Sequence, residues 1–134
     1  MPAAIAPLLI ALASFVLRLV NLGSTKGYIF DEVYYVDGAR DLLKYGVEVT
    51  GSNPEFIVHP PVGKWLIAAG IAIFGDNEFG WRFATALIGT ILILVFARLV
   101  HVLFYSPLLT GLGAALMALD GLLLVHSRTA LLDR

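Results

Sequence analysis

The 134-residue chain contains no cysteine. Disulfides and thiolate-held metal sites are therefore excluded, and the redox compartment goes unmarked. Charge is also scarce, at 14% of residues, with a formal net charge of −1. No run of lysine or arginine exists, so the composition excludes a nucleic-acid binder and a polybasic membrane-surface segment. His59, His101 and His126 are scattered and never reach the short spacing that metal chelation by histidine requires. What remains is apolar: 59% hydrophobic residues and a mean hydropathy of +0.87. This is the composition of a membrane protein rather than a soluble domain.

Hydropathy divides the chain into three candidate spans. Residues 3–22 are uncharged until Arg18, and about 20 residues at about 1.5 Å each match a hydrocarbon thickness of about 30 Å. No basic segment precedes this run and the small-residue cleavage pattern is poor, so an uncleaved span is expected rather than a signal peptide. Residues 79–104 form a second span, bracketed by Arg82 and Arg98. Residues 108–125 form a third, with one charge, Asp120, and a Gly111/Ala115 spacing suited to close helix packing. The expected fold is all-α and polytopic, within a single membrane domain spanning residues 1–134.

Between the first two spans lies a long loop, residues 23–77. From Asp31 to Tyr45 the apolar residues Val33, Val36, Ala39, Leu42 and Leu43 recur at spacings of three and four. Asp37, Asp41 and Lys44 take the other side, which predicts a helix lying along the interface. Asp31 stands at the N-cap position and Gly46 at the C-terminal stop. The stretch 45–55 is rich in Gly, Asn, Ser and Pro and is expected to be irregular. His59-Pro60-Pro61 then opens a second helix, whose apolar run from Trp65 to Phe74 is too short to span. The positive-inside rule alone would place this loop in the cytoplasm, because it holds Lys26, Arg40, Lys44 and Lys64.

Charge concentrates at Asp31, Glu32, Asp37, Arg40 and Asp41, directly behind the first span. Adjacent acids cannot act as a matched pair on one atom, because neighbours on a helix point about 100° apart. Asp31 and Glu32 therefore have separate tasks: a general base and an orienting carboxylate, or two acids favouring a helix N-terminus. Arg82 and Arg128 each lie at the end of a span. They suit forked recognition of phosphate, or simple snorkelling to the headgroups. Lys64 carries the same two readings. His59 is held rigidly before two prolines and reads as a structural hydrogen-bonder.

The motifs Phe30-Asp31-Glu32-Val33-Tyr34, His59-Pro60-Pro61-Val62-Gly63-Lys64-Trp65, Phe74-Gly75, Trp81-Arg82 and Ser127-Arg128 through Leu131-Leu132-Asp133 resemble, in order and spacing, the protein O-mannosyltransferases. These are polytopic enzymes of the GT-C glycosyltransferase class. Aminoarabinose transferases share the architecture but usually carry Lys-Pro-Pro where this chain has His-Pro-Pro. Tyr34-Tyr35-Val36-Asp37 is more similar to the actinobacterial type than to the eukaryotic one. The chain resembles the N-terminal third of such a protein.

The resemblance implies that the 23–77 loop is extracytoplasmic with two interfacial helices, overriding the lysine count, and that the site opens on the outer face of the plasma membrane. It implies inverting transfer of mannose from polyprenyl-phosphate mannose to Ser or Thr hydroxyls of an exported polypeptide. Asp31 would be the general base with Glu32 beside it. Arg82, Lys64 and Arg128 would meet the donor phosphate, and His59, Pro60 and Pro61 would shape the site. No cofactor is implied, and the reaction as drawn needs no metal ion. A sugar transferase acting on a lipid or glycan is the neighbouring reading, and a non-catalytic lipid-phosphate-binding subunit the reading from another class.

Overall fold

A computed structural model describes residues 4–54 and 61–131. His59 and Pro60 lie outside the described residues. Six helices and one short hairpin follow in chain order: α1 (Ile5–Leu19), α2 (Glu32–Tyr45), β1 (Val49–Thr50), β2 (Asn53–Pro54), α3 (Pro61–Phe74), α4 (Glu78–Phe104), α5 (Pro107–Leu119) and α6 (Gly121–His126). They group into two compact units. One comprises Met1–Val20 with Ala86–Arg128, the other Asn21–Thr85 with Thr129–Arg134. α4 contributes residues to both.

In the first unit the core is made almost wholly of small side chains. Ala11, Ala97, Ala114 and Ala118 surround Ile93, and a Cβ added at Gly113 would stand 3.0 Å from Val100. Gly111 approaches Ala6 across α1 and α5, which fits the small-residue spacing read from the sequence. The opposite face of α5 is apolar and open, with Leu108, Leu116 and Leu119 each more than 70% exposed. An uncovered leucine face suits hydrocarbon as solvent.

α4 has 27 residues and is the one described helix long and apolar enough to cross a membrane. At about 1.5 Å per residue it extends about 40 Å. α1, α3 and α5 are shorter apolar helices of 15, 14 and 13 residues.

Two expectations need correction. Residues 108–125 do not form one continuous helix. Asp120 adopts an extended conformation (φ −61°, ψ 116°), and its Oδ1 accepts the Leu123 N–H at 2.7 Å, starting α6 anew. An aspartate able to bond backbone amides, followed by a glycine of low helix propensity, offers the chain this alternative to an unbroken helix. The stretch 45–55 is not wholly irregular either: Val49 pairs with Pro54 and Thr50 with Asn53 in an antiparallel hairpin. Gly51, at φ 66°, makes its tight turn.

The second unit is organised on α2 and α3. Tyr35, Val36 and Ala39 of α2 pack with Ile67, Ala68 and Ile71 of α3, and Trp81 and Ala130 close the cluster. α2 stops at Gly46, which is left-handed and returns its N–H to Leu42 O at 3.1 Å. α3 and the start of α4 meet backbone to backbone: a Cβ at Gly70 would lie 2.2 Å from Gly80 O. Gly70→Ala must therefore push main chain, not a pliable side chain, and should cost about 1–3 kcal/mol, the usual range for overpacking. Gly121→Ala, where nothing lies within 4 Å, should stay within about 0.5 kcal/mol. Thermal unfolding of the purified variants in detergent checks this, and equal melting temperatures for the two would contradict the packing.

Candidate active site

The loop between Asn21 and Asp31 contains three residues in the left-handed region: Asn21 at φ 54°, Gly27 at φ 81° and Phe30 at φ 53°. Glycine adopts this conformation freely and asparagine tolerates it, but an aromatic residue pays on the order of 1 kcal/mol or more. Phe30 persists there because the residues on either side are pinned. The pin is Glu32, the first residue of α2.

Glu32 is fully buried, and both carboxylate oxygens are saturated. Oε1 accepts Arg82 Nε–H at 2.8 Å and the Ala130 backbone N–H at 2.7 Å. Oε2 accepts an Arg82 NH2 hydrogen at 2.8 Å and the Ile29 N–H at 2.8 Å. Arg82 is 1% exposed. Its remaining hydrogens go to three loop carbonyls, Leu22 O at 3.3 Å, Thr25 O at 3.0 Å and Gly27 O at 3.0 Å. A guanidinium offers five N–H donors, and all five are used. In this arrangement every Arg82 donor is spent within the fold. Its geometry is that of a bracket tying the loop to α2.

Asp31 is placed differently. It is half-buried and occupies the N-cap position of α2, but its side chain makes no capping bond. Among the described residues only its backbone carbonyl is engaged, by the Tyr34 N–H at 3.1 Å. Phe30 and Tyr34 beside it are 76% and 70% exposed. The two adjacent acids thus divide as their directions require: Glu32 inward to a fixed cation, Asp31 outward with its oxygens uncommitted to the helix.

Lys64 makes a second buried pair. It is buried and its ammonium donates to the equally buried Glu48 carboxylate, with Gly38 of α2 packed against both groups. The second Glu48 oxygen, Oε1, has no partner among the described residues. This ion pair occupies the lysine expected to meet phosphate. Arg128 belongs to the first unit, half-buried, with one hydrogen on Val20 O at 2.7 Å. Pro61 opens α3 as expected.

Two further clusters were missed in the sequence. Arg18, near the end of α1, is fully buried and donates to Ser14 and to Ser127 Oγ; a lone arginine inside an apolar run was the available signal. Around Arg40, Asp76 accepts a fork at 2.8 and 2.9 Å, and Asp37 and the Tyr28 hydroxyl share the remaining terminal nitrogen. Trp81 donates its indole N–H to Asp76 at 2.6 Å and stacks on Tyr28 with ring centroids 5.0 Å apart. The Arg40 hydrogen bond holds the Asp76 carboxyl below the usual aspartate range, the Trp81 bond adding to it against partial burial. These bonds use four of the five Arg40 N–H hydrogens and fasten the 28 and 76 turns to α2.

Residues 58–133 match the family model described as dolichyl-phosphate-mannose-protein mannosyltransferase. The chain is 46% identical over 131 residues to the polyprenol-phosphate-mannose–protein mannosyltransferase of Mycobacterium tuberculosis, covering 93% of this chain and 24% of that protein. The protein of the same name from Mycolicibacterium smegmatis is 41% identical over 136 residues, covering 97% and 26%. An undecaprenyl phosphate-α-4-amino-4-deoxy-L-arabinose arabinosyl transferase of Pseudomonas fluorescens is 41% identical over 71 residues, 52% of this chain and 13% of its own. The chain thus spans about a quarter of the length of its mannosyltransferase relatives, rather than a third. No solved structure matches it.

Removing one member of a buried pair leaves the other charge uncompensated, which typically costs about 3–5 kcal/mol. Arg82→Met and Glu32→Gln should each destabilise the protein on that scale. The double variant should lose clearly less than their sum, as bonded partners do. Additive losses in equilibrium unfolding would show that the two side chains act independently.

Proposed function

Because the chain belongs to the dolichyl-phosphate-mannose-protein mannosyltransferase family, we propose that it serves transfer of mannose from a polyprenyl-phosphate donor to Ser or Thr hydroxyls of polypeptides crossing the membrane. Both groups of relatives are named for a sugar linked to a polyprenyl phosphate, which supports the donor class. In this reading the 23–77 segment lies on the extracytoplasmic side of the plasma membrane with α2 and α3 at the interface. α4 crosses, and α1 and the α5–α6 segment complete the membrane part.

The observation that carries the mechanism is the division of labour between the adjacent acids. A hydroxyl attacking C1 of the sugar must lose its proton as the new C1–O bond forms and the bond to the phosphate oxygen breaks. Inversion follows from a single displacement. Asp31, half-exposed and unbonded to its helix, takes that proton. Glu32 cannot, because its four acceptor positions are filled; it orients Asp31 by holding the turn at Phe30. The phosphate leaves as an anion and needs a cation nearby. Of the three cations considered, Arg128 alone is outside a buried ion pair among the described residues, and it takes this role. No cofactor or metal enters the scheme.

Asp31→Asn preserves size and hydrogen bonding but cannot accept the proton. Mannosylation of a Ser/Thr peptide by the complete enzyme should fall about 10²- to 10⁴-fold, the usual contribution of a general base, while donor binding persists. Glu32→Gln should lower activity together with melting temperature, since its effect passes through the fold. Near-full turnover in Asp31→Asn would overturn the assignment.

A further inference from the structure

In the first unit, between the start of α1, the last turns of α4 and the start of α5, lies a cavity of about 410 Å³, within the usual size of small-ligand sites (about 300–1,000 Å³). Pro7, Leu8, Leu94 and Ala97 give it an apolar wall, and Arg98, His101 and Thr110 gather its polar groups. None of these residues belongs to the proposed transferase chemistry.

Arg98 is exposed and makes no ion pair among the described residues. The unit's described residues hold a single carboxylate, Asp120, and that one caps α6. With no carboxylate meeting it among the described residues, this cation on a membrane helix is open to an anionic ligand. Its depth specifies which kind. Six residues before the last residue of α4 is about 9 Å, and a helix of about 40 Å overshoots a hydrocarbon core of about 30 Å by roughly 5 Å at each end. Arg98 thus stands just inside the hydrocarbon boundary, where its guanidinium reaches the headgroup level.

His101 lies three residues on and shares that face of the helix. The Thr110 hydroxyl donates to Ser106 O at 2.8 Å, so in its 3.2 Å contact with His101 Nδ1 it can only accept. Nδ1 is thus engaged by Thr110, and Nε2 is the ring's other polar atom on this cavity.

We propose that this cavity binds an anionic glycerophospholipid of the leaflet at the Phe104 end of α4. The phosphate sits on Arg98, with His101 beside it, and an acyl chain runs along the wall of Pro7, Leu8, Leu94 and Ala97. The recognition is by a formed pocket around one cation, in a chain that has no basic run for diffuse attraction to anionic lipid.

The complete enzyme, reconstituted in equal phosphatidylglycerol and phosphatidylcholine and then stripped with detergent, is analysed by native mass spectrometry for retained lipid. Phosphatidylglycerol should be retained about tenfold over phosphatidylcholine, as one charge-assisted contact allows. Arg98→Gln should abolish the preference, and Arg98→Lys should keep most of it. Leu8→Trp, at a residue already half exposed, should fill the wall and lower retention of both lipids without disturbing the core. No retained lipid in the wild type, equal retention of the two lipids, an undiminished preference in Arg98→Gln, or displacement by millimolar inorganic phosphate would each overturn the proposal. The readout is binding, so it stands or falls separately from mannosyl transfer.

Discussion

The buried pair of Glu32 and Arg82 holds the second unit in its particular shape. What makes it effective is saturation: two carboxylate oxygens and five guanidinium hydrogens are all matched, three of the hydrogens by carbonyls of the 22–27 loop. Burial of an ion pair is stabilising only when such additional bonds satisfy both partners. Here they do, and in doing so they convert a segment without regular secondary structure into a fixed one. The same carboxylate reaches Ala130, so residues distant in sequence are fastened at one point.

The consequences reach Asp31 through the backbone. An aromatic residue held at a left-handed φ immediately before it is a local cost that the Ile29 and Gly27 anchors overcome. Strain of this kind survives where surrounding bonds over-determine the conformation. It leaves one acid buried and committed and its neighbour outward and uncommitted, which is the distribution a proton acceptor next to a structural carboxylate requires. The Lys64–Glu48 pair repeats the theme between α3 and the segment that follows α2, a second charge pair buried inside the fold.

Much of this was legible in the sequence. The helical period over 31–45, the Gly46 stop, the proline start of α3 and the long apolar run of α4 all rest on local signals, and the helices fall where those signals lie. Asp120 was visible as an anomaly within an apolar stretch, but whether it would pair, protonate or end the helix depended on the competition between its side chain and the backbone. The bonding of Arg82 was hidden for a different reason. A sequence shows that an arginine stands at a span end, not which carbonyls a loop sixty residues away will turn toward it. The partner of Lys64 likewise lay in the segment expected to be irregular, and Arg98 gained meaning only once α1 and α5 were seen to wall a cavity beside it.

The central claim is that Arg82 holds Glu32 and not the donor, leaving Asp31 to meet the acceptor. A high-resolution structure of the complete enzyme bound to a non-transferable polyprenyl-phosphate mannose analogue and an acceptor peptide tests it most directly. The account predicts that Arg82 keeps both contacts to Glu32, the analogue's phosphate lies on another cation, and Asp31 is within hydrogen-bonding distance of the acceptor hydroxyl. Arg82 turned onto the phosphate, with Glu32 released toward the hydroxyl, would contradict it.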